Sequence, residues 1–443
     1  MNRKLTFIES DKKPFKEPNV AHEPQVGHLW ARIKTIMPSE KLSFDESLKF
    51  ITTLFRFGGL SLLGNKSRST METVKVRLMY LFNFSCLNCD VIGETWWLIQ
   101  SLGEGENFLA ITFSAPCIAI SMMANIKSLL LIFNEERVEE LIECIRSIEI
   151  TEKRTERVKE KEEIMETEKY FLRRVLVPLA ILTAIVIFTF SINPCIFMLA
   201  HYLKTNEVNL LLPFTIIYPF DPFNIMYYPA VYIHQIWSVC VVNLSTCCVD
   251  YLLFTCCVYI KIHFRLIKYD VENIIPKQGN VSNTVTDGSF KSTFREVVER
   301  HQMCIRAADL IEQTYSKSIL YNFMTSSLLI CLTGFNVVAV KDIPIIVTFL
   351  LFLIMNLLQI FFLCFFGDLM MRSSADIANG VYNSRWYAAD PTVGKSLLIL
   401  LTRAQKPCKL TALGFAEVNL MAFTRILSTS WSYFCLLNTF YTQ

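Results

Sequence analysis

Histidine is scarce in this chain, with six among 443 residues, and no two stand in the HxxxH spacing that puts both rings on one helix face. The GxSxG, P-loop and GxGxxG patterns are missing as well. These absences exclude enzymes built on a helical zinc site, an activated serine or a phosphate-cradling loop. No catalytic residue, metal or cofactor is expected. Charge is also thin: Asp, Glu, Lys and Arg make up 19% of the residues, and no basic run is long enough to follow a nucleic-acid backbone. The N-terminal stretch "MNRKLTFIESDKKPFKEPNVAHEPQVGHLW" lacks the apolar run and small-residue cleavage site of a signal peptide. Residue 1 is therefore expected in the cytosol.

What is present is apolar. Hydrophobic residues account for 52% of the chain, 34 of them Phe, which is too apolar for a soluble domain of this length. Most of the 15 cysteines fall inside apolar segments, including Cys247-Cys248 and Cys256-Cys257. No spacing matches a zinc site, and they read as small apolar residues of a membrane core rather than as disulfides or palmitoylation sites.

A bilayer core about 30 Å thick takes about 20 apolar residues per helix. Seven stretches qualify, at roughly 76–99, 108–132, 174–200, 227–260, 318–340, 343–367 and 414–441. The fourth overruns a bilayer, so its inner end should project into the cytosol. Lys and Arg decide the orientation. Residues 1–72, 133–174, 261–317 and 369–412 hold 37 of them, and the alternate loops hold 2, Lys204 and Lys341. The fold class predicted is an all-α polytopic membrane protein of seven transmembrane helices, with the N-terminus cytoplasmic and the C-terminus extracellular. That is the reverse of a G-protein-coupled receptor, which disfavours a metabotropic seven-helix protein. The organisation expected is a cytoplasmic segment 1–75, six helices with cytoplasmic extensions over 76–367, and a cytoplasmic segment plus last helix over 368–443.

Between the second and third spans, Val138, Leu141, Ile142, Cys144, Ile145 and Ile148 follow the spacing of an amphipathic helix. It reads as a solvated cytosolic extension or as a helix that docks a partner. The 274–289 stretch has loop composition, and its Asn280 sequon falls on the inner side, where glycosylation is not expected.

Ionisable residues at membrane depth are candidates for function. They are Asp90 and Glu94 in the first span, Lys127 and Asp250 near inner ends, His234 in the fourth span and Arg425 in the last. Snorkelling to an interface is the plain alternative. Asp90 and Glu94, four apart on one face, could draw cations towards an outer vestibule. In the last span Thr424, Ser428, Ser432, Leu436, Thr439 and Gln443 form one stripe, polar except at Leu436. Such a face meets either another helix or water. If it meets water, Leu436 would close a conduit as an apolar ring, and one helix could not enclose that conduit alone. The outer halves of spans two, three, four and six gather aromatics, prolines and a few polar tips in "FLAITFSAP", "VIFTFSINPCIF", "LPFTIIYPFDPFNIMYYPAVYIHQIW" and "IPIIVTFLLF". Apolar pockets with sparse polar groups hold small ligands, and aromatic belting at the lipid interface is the rival reading.

The segments "VERHQMCIRAADLIEQTYSKSILYNFMTSSLLICLTGF" (298–335) and "GVYNSRWYAADPTVGKSLLILLTRAQKPCKLTALGFAEVNLMAFTRILSTSWSYFCLLNTF" (380–440) resemble the insect odorant receptors, relatives of the gustatory receptors. The "LPFTIIYPFD" loop and "RFGGLSLLG" are similar too. Gustatory receptors carry Thr-Tyr, five apolar residues, then Gln-Phe in the last span; here Ser432-Tyr433, "FCLLN" and Thr439-Phe440 stand in those places.

The resemblance implies an odorant-gated, non-selective cation channel, tetrameric, with the last helix lining the pore and Leu436 and Thr439 at the gate and polar ring, beside Ser432 and Phe440. It implies assembly with the shared odorant receptor co-receptor, a volatile apolar ligand, and the plasma membrane of olfactory sensory dendrites. Thr439 where Gln is frequent suits a subunit that shares the co-receptor's pore. By region, the pocket would involve Thr112, Phe113, Pro116, Phe188, Ser191, Tyr228, Tyr232, Ile236, Thr348, Phe349 and Phe352, with His234 and Gln235 as polar handles. A gustatory receptor is the near alternative, although a sugar pocket would need more convergent polar groups than the chain offers.

Overall fold

The computed structural model describes residues 43–60, 70–104, 108–154, 158–275 and 288–442. The expectations for residues 1–42, the "SLLG" half of "RFGGLSLLG", the Asn280 sequon and Gln443 lie outside them. The described residues form ten α-helices: α1 Phe44–Gly58, α2 Thr70–Glu104, α3 Phe108–Phe133, α4 Glu135–Arg154, α5 Lys159–Thr205, α6 Tyr228–Glu272, α7 Gly288–Ala339, α8 Ile343–Asn383, α9 Pro391–Ala404 and α10 Leu420–Thr442. Among the described residues there is no β-strand, only an isolated bridge from Thr411 to Glu417.

Helices α3, α5, α6, α7 and α8 are long and apolar enough to cross a membrane. The other two expected spans, α2 and α10, have 35 and 23 residues. They have the length, but Asn83, Asn88, Asp90 and Glu94 in one and the hydroxyl residues of the other dilute their hydropathy. The 47 residues of α5 and 52 of α7 reach about 70 and 80 Å at 1.5 Å per residue, more than twice the hydrocarbon thickness. Overrun was expected of the fourth span alone. The third, fifth and sixth overrun too, because their charged flanks continue the helical pattern.

Helix α6 is the axis of the fold, packing against α1, α2, α3, α5, α7 and α8. Over Ser245–Ile260 its residues are apolar or small on every side apart from Asp250, which suits a helix buried all round. From Ser245 to Ile260 every residue is buried. Around its cytoplasmic end the apolar faces of α1 and α4 close the core. Phe44, Leu48, Ile51 and Phe55 of α1 recur every three or four residues and are buried, with the Phe44 ring 4.9 Å from that of Tyr259. Ser43 starts the helix, and the Glu46 carboxylate returns to its N–H at 3.0 Å. On α4, Val138, Leu141, Ile142, Ile145 and Ile148 are buried and the helix packs on α7. The amphipathic stretch thus docks within its own chain, neither free in solvent nor awaiting a partner.

Buried charges tie these extensions together. Glu152 of α4 pairs with Arg300 of α7 and, at 3.1 Å, with Lys161 of α5. Asp270 of α6 accepts from Lys161 at 2.6 Å and Arg300 at 2.5 Å. Two acids and two bases form a closed square joining four helices, so no charge in it is left uncompensated. Burial opposes ionisation of Glu152, but Arg300 and Lys161 more than offset it and hold its carboxyl below the usual range.

Gly367 sets the seat of the last helix. A Cβ there would come within 2.6 Å of the Val418 carbonyl oxygen, so the turn before α10 lies directly on the α8 backbone. Glu312 of α7 receives the Thr411 N–H at 2.7 Å and holds that turn from the other side.

A narrow cavity in the outer half and an exposed face on the last helix

Between α2, α3, α5, α6 and α8 lies a cavity roofed by Phe214 of the 206–227 loop. The cleft and its open mouth together hold about 530 Å³, but only about 60 Å³ is wide enough for the centre of a water molecule. It is a set of narrow clefts in this conformation. Its walls are mostly apolar: Leu87 of α2, Ile120 of α3, Val186 and Phe190 of α5, Val239 and Val242 of α6, and Phe352 of α8. Phe190 stacks on Phe214 at 6.2 Å and meets Phe352 edge-on at 5.8 Å. The roof is fixed because Gln235, fully buried, accepts the Phe214 N–H at 3.0 Å and donates to its carbonyl at 3.3 Å. The loop also presses on α2 at Gly93, where a Cβ would stand 2.4 Å from Ile216.

The polar end of the cavity is acidic. Asp90 and Glu94 both line it and are each 5% exposed. In this structure the two acids sit on the wall of a narrow, partly open cleft rather than in a wide outer vestibule, and Asp90 is not unpartnered. His234 Nδ1 lies 3.2 Å from Asp90 Oδ1, and the Tyr218 hydroxyl donates to the same oxygen at 3.4 Å. On the far side of this contact a wider recess of about 810 Å³ opens outward, lined by Tyr218, His234, Ile92, Trp96 and Phe220. Tyr218, His234 and Asp90 thus partition the two spaces.

Lys127 and Asp250 do not snorkel. Lys127 Nζ lies 2.8 Å from both carboxylate oxygens of Asp250, and Gln359 Nε2 donates to the same group at 2.6 Å. This fully buried cluster joins α3, α6 and α8.

Of the pocket positions expected from sequence, Phe352 lines the cavity. Phe113 and Phe349 pack edge-on at 4.9 Å. Thr112 is bound to Asn336, whose amide donates to the Thr112 carbonyl at 2.6 Å. Pro116 is buried within α3. Ser191 bonds back to Ile187, and its carbonyl accepts the Tyr232 hydroxyl at 2.7 Å. The Tyr228 hydroxyl caps the Leu211 carbonyl at 2.7 Å, and Asn193 donates to Thr348 at 2.5 Å. Ile236 is half-buried. These side chains lock helices to one another around the cavity. Phe188 differs, since it is 63% exposed and turned away from the bundle. Sequence reading passed over Ser238, Val239, Val242 and Asn243, which line the cavity. The signal was available: 238 and 242, like 239 and 243, sit one turn apart on α6.

Helix α10 has two faces. Ala422, Ile426 and Ser430 are buried against α7 and α8, with Phe423 on Phe361 at 5.4 Å and Tyr441 on Phe335 at 5.2 Å. The stripe of Thr424, Ser428, Ser432, Leu436 and Thr439, with Phe440 beside it, is exposed on the surface of the chain. Ser432 and Thr439 donate to carbonyls one turn back, at 3.0 and 2.8 Å.

The family model described as 7tm Odorant receptor matches residues 107–431. The chain belongs to this family. An odorant receptor of Drosophila melanogaster, 67c, is 23% identical over 414 residues, covering 93% of this chain and all of the relative. Another, 85c, is 23% identical over 399 residues, 89% of this chain and 99% of that one. The olfactory receptor OR5 of Machilis hrabei, solved in complex with eugenol, shares the fold with a TM-score of 0.74 at 16% identity, over 90% of this chain and 99% of that one. The chain is thus a multi-pass membrane protein of the odorant receptors, a family of receptors rather than enzymes.

Proposed function

We propose that this odorant receptor is a subunit of a ligand-gated, non-selective cation channel at the plasma membrane of olfactory sensory dendrites, assembled as a tetramer with the odorant receptor co-receptor. The exposed polar stripe of α10 carries this reading. A helix that buries Ala422, Ile426 and Ser430 on its own chain and presents Thr424, Ser428, Ser432 and Thr439 outward would be poorly matched to lipid. Around a shared axis the same stripe wets a conduit, and Leu436 narrows it. Thr439 would form this subunit's share of the polar ring, with Phe440 at its outer edge.

The ligand would be a small volatile with an apolar body, held in the outer-half cavity against Phe352, with Phe113, Thr348 and Phe349 bracing the wall behind. Binding requires the clefts to widen, so a ligand that fits the widened state better shifts the population towards it. Phe352 and Phe361 lie on the same helix, and Phe361 touches Phe423 of α10. Displacement of α8 would thereby reach the gate helix. The test is a panel of volatiles on cells expressing this chain with and without the co-receptor. Evoked cation current only in the co-expressing cells is expected. Absence of current across the panel in both, with the chain at the cell surface, would refute the reading.

A further inference from the structure

We infer that the ligand of this cavity carries a hydrogen-bond donor, a hydroxyl or an amine on a small apolar body, and that Glu94 receives it. The inference rests on the outer-half cavity being the ligand site, and it assigns the chemistry of that site. Glu94 is 95% buried, faces the cavity, and has no hydrogen bond or ion pair among the described residues. One turn away, Asp90 Oδ2 is buried and also lacks a hydrogen-bond partner, as does the Ser238 hydroxyl across the cavity. The remaining polar groups nearby are committed: Asp90 Oδ1 to His234 and Tyr218, the Asn243 amide to the Val239 carbonyl at 2.9 Å, and Lys127 to Asp250.

Glu94 and Asp90 Oδ2 are thus acceptors without a donor, the unpaired Ser238 hydroxyl across the cavity can donate to one partner, and among the described residues no uncommitted cation lines the site. A buried carboxyl without a partner is costly, and a ligand that supplies the missing donor recovers that cost. An ether or aldehyde of the same shape can accept from the Ser238 hydroxyl but offers nothing to Glu94, so the acid stays unsatisfied. A hydroxyl donates its proton to a Glu94 oxygen. An amine entering as its ammonium ion keeps its proton and pairs with Glu94 as the carboxylate, needing no other reactant.

The experiment uses the full chain in lipid nanodiscs, with ligand-induced thermal stabilisation giving apparent affinities for octanol, octylamine, heptyl methyl ether and octanal. Octanol and octylamine are expected to bind about tenfold more tightly than the ether and the aldehyde, the discrimination of one satisfied buried group. Glu94→Leu should erase the preference while leaving ether binding intact. Glu94→Gln, which keeps shape and an acceptor, should retain octanol and lose octylamine. If Glu94→Leu does not fold, Glu94→Gln with an unchanged melting temperature decides between the two. Equal binding of all four probes, a preference for octanal, or a preference that survives at Glu94→Leu would overturn the inference. Currents measured on the same variants with the co-receptor separate it from the channel reading. A donor preference in binding without any current overturns the channel and leaves Glu94 in place; current without a donor preference does the reverse.

Discussion

Lys127 and Asp250 lie 123 residues apart and meet in the middle of the bundle, the ammonium 2.8 Å from both carboxylate oxygens, with side chains 1% and 6% exposed. Each charge is tolerable only because of the other, since burying either alone carries a large desolvation cost. Lys127→Met should leave Asp250 uncompensated and lower stability by about 3 to 5 kcal/mol, as should Asp250→Leu. The double variant should recover much of the loss. Thermal unfolding of the detergent-solubilised chain reads the cycle, and additive losses would mean that the pair is not coupled.

On the cytoplasmic side the prediction concerns pH. Glu152 is held below the ordinary carboxylate range in the folded chain: burial acts to raise it, and the Arg300 and Lys161 charges outweigh that. A depressed folded value means that the unfolded chain binds the proton more readily. The contribution is thus complete above the unfolded value, about 4.3, and is lost as pH falls through the folded one. Melting temperature should drop steeply below about pH 4.5, and Glu152→Gln should flatten that limb while lowering stability at neutral pH. An unchanged acid limb in this variant would remove Glu152 from the account.

The Gly367 contact makes a steric prediction. Gly367→Ala places a methyl where the Val418 carbonyl oxygen stands 2.6 Å away, and neither backbone can yield without moving the turn that leads into α10. A loss of about 1 to 3 kcal/mol is expected from overpacking of this kind. In co-expressed receptors the same variant should change resting current or odorant sensitivity, because α10 hangs from that turn. Gly334→Ala is the control: its nearest neighbour is the Phe434 ring at 3.8 Å, an ordinary contact, so little change should follow.

What could be read from sequence was whatever repeats along one helix. The α10 stripe, the apolar face of α4 and the positions of the long helices follow from spacing alone. Pairings across helices did not. Lys127 and Asp250 each looked like a residue near an interface, because nothing local says that α3 and α6 turn those positions towards each other. Helical phase was also missed at the cavity: Phe188 faces outward and Phe190, two residues on, lines the wall. Asp90 and Glu94 were found, but His234, the partner of Asp90, and the roof at Phe214 come from α6 and a loop more than 100 residues away. That is why a wide vestibule was expected where the fold leaves a narrow, roofed cleft.

Leu436 tests the role of α10 most directly. Its side chain is 55% exposed on the single chain and interrupts an otherwise hydroxyl-bearing face. If α10 lines a conduit, the leucine contributes to an apolar constriction that empties of water when closed. Leu436→Ala widens that ring and should raise resting leak in cells expressing the chain with the odorant receptor co-receptor, while evoked current saturates at lower odorant concentration. Leu437→Ala, on the neighbouring half-buried face, should instead act through packing against α7 and α8, lowering surface expression without a leak. Whole-cell recording paired with surface labelling separates the two outcomes. Equal resting currents in Leu436→Ala and the parent would place the gate elsewhere than on this helix.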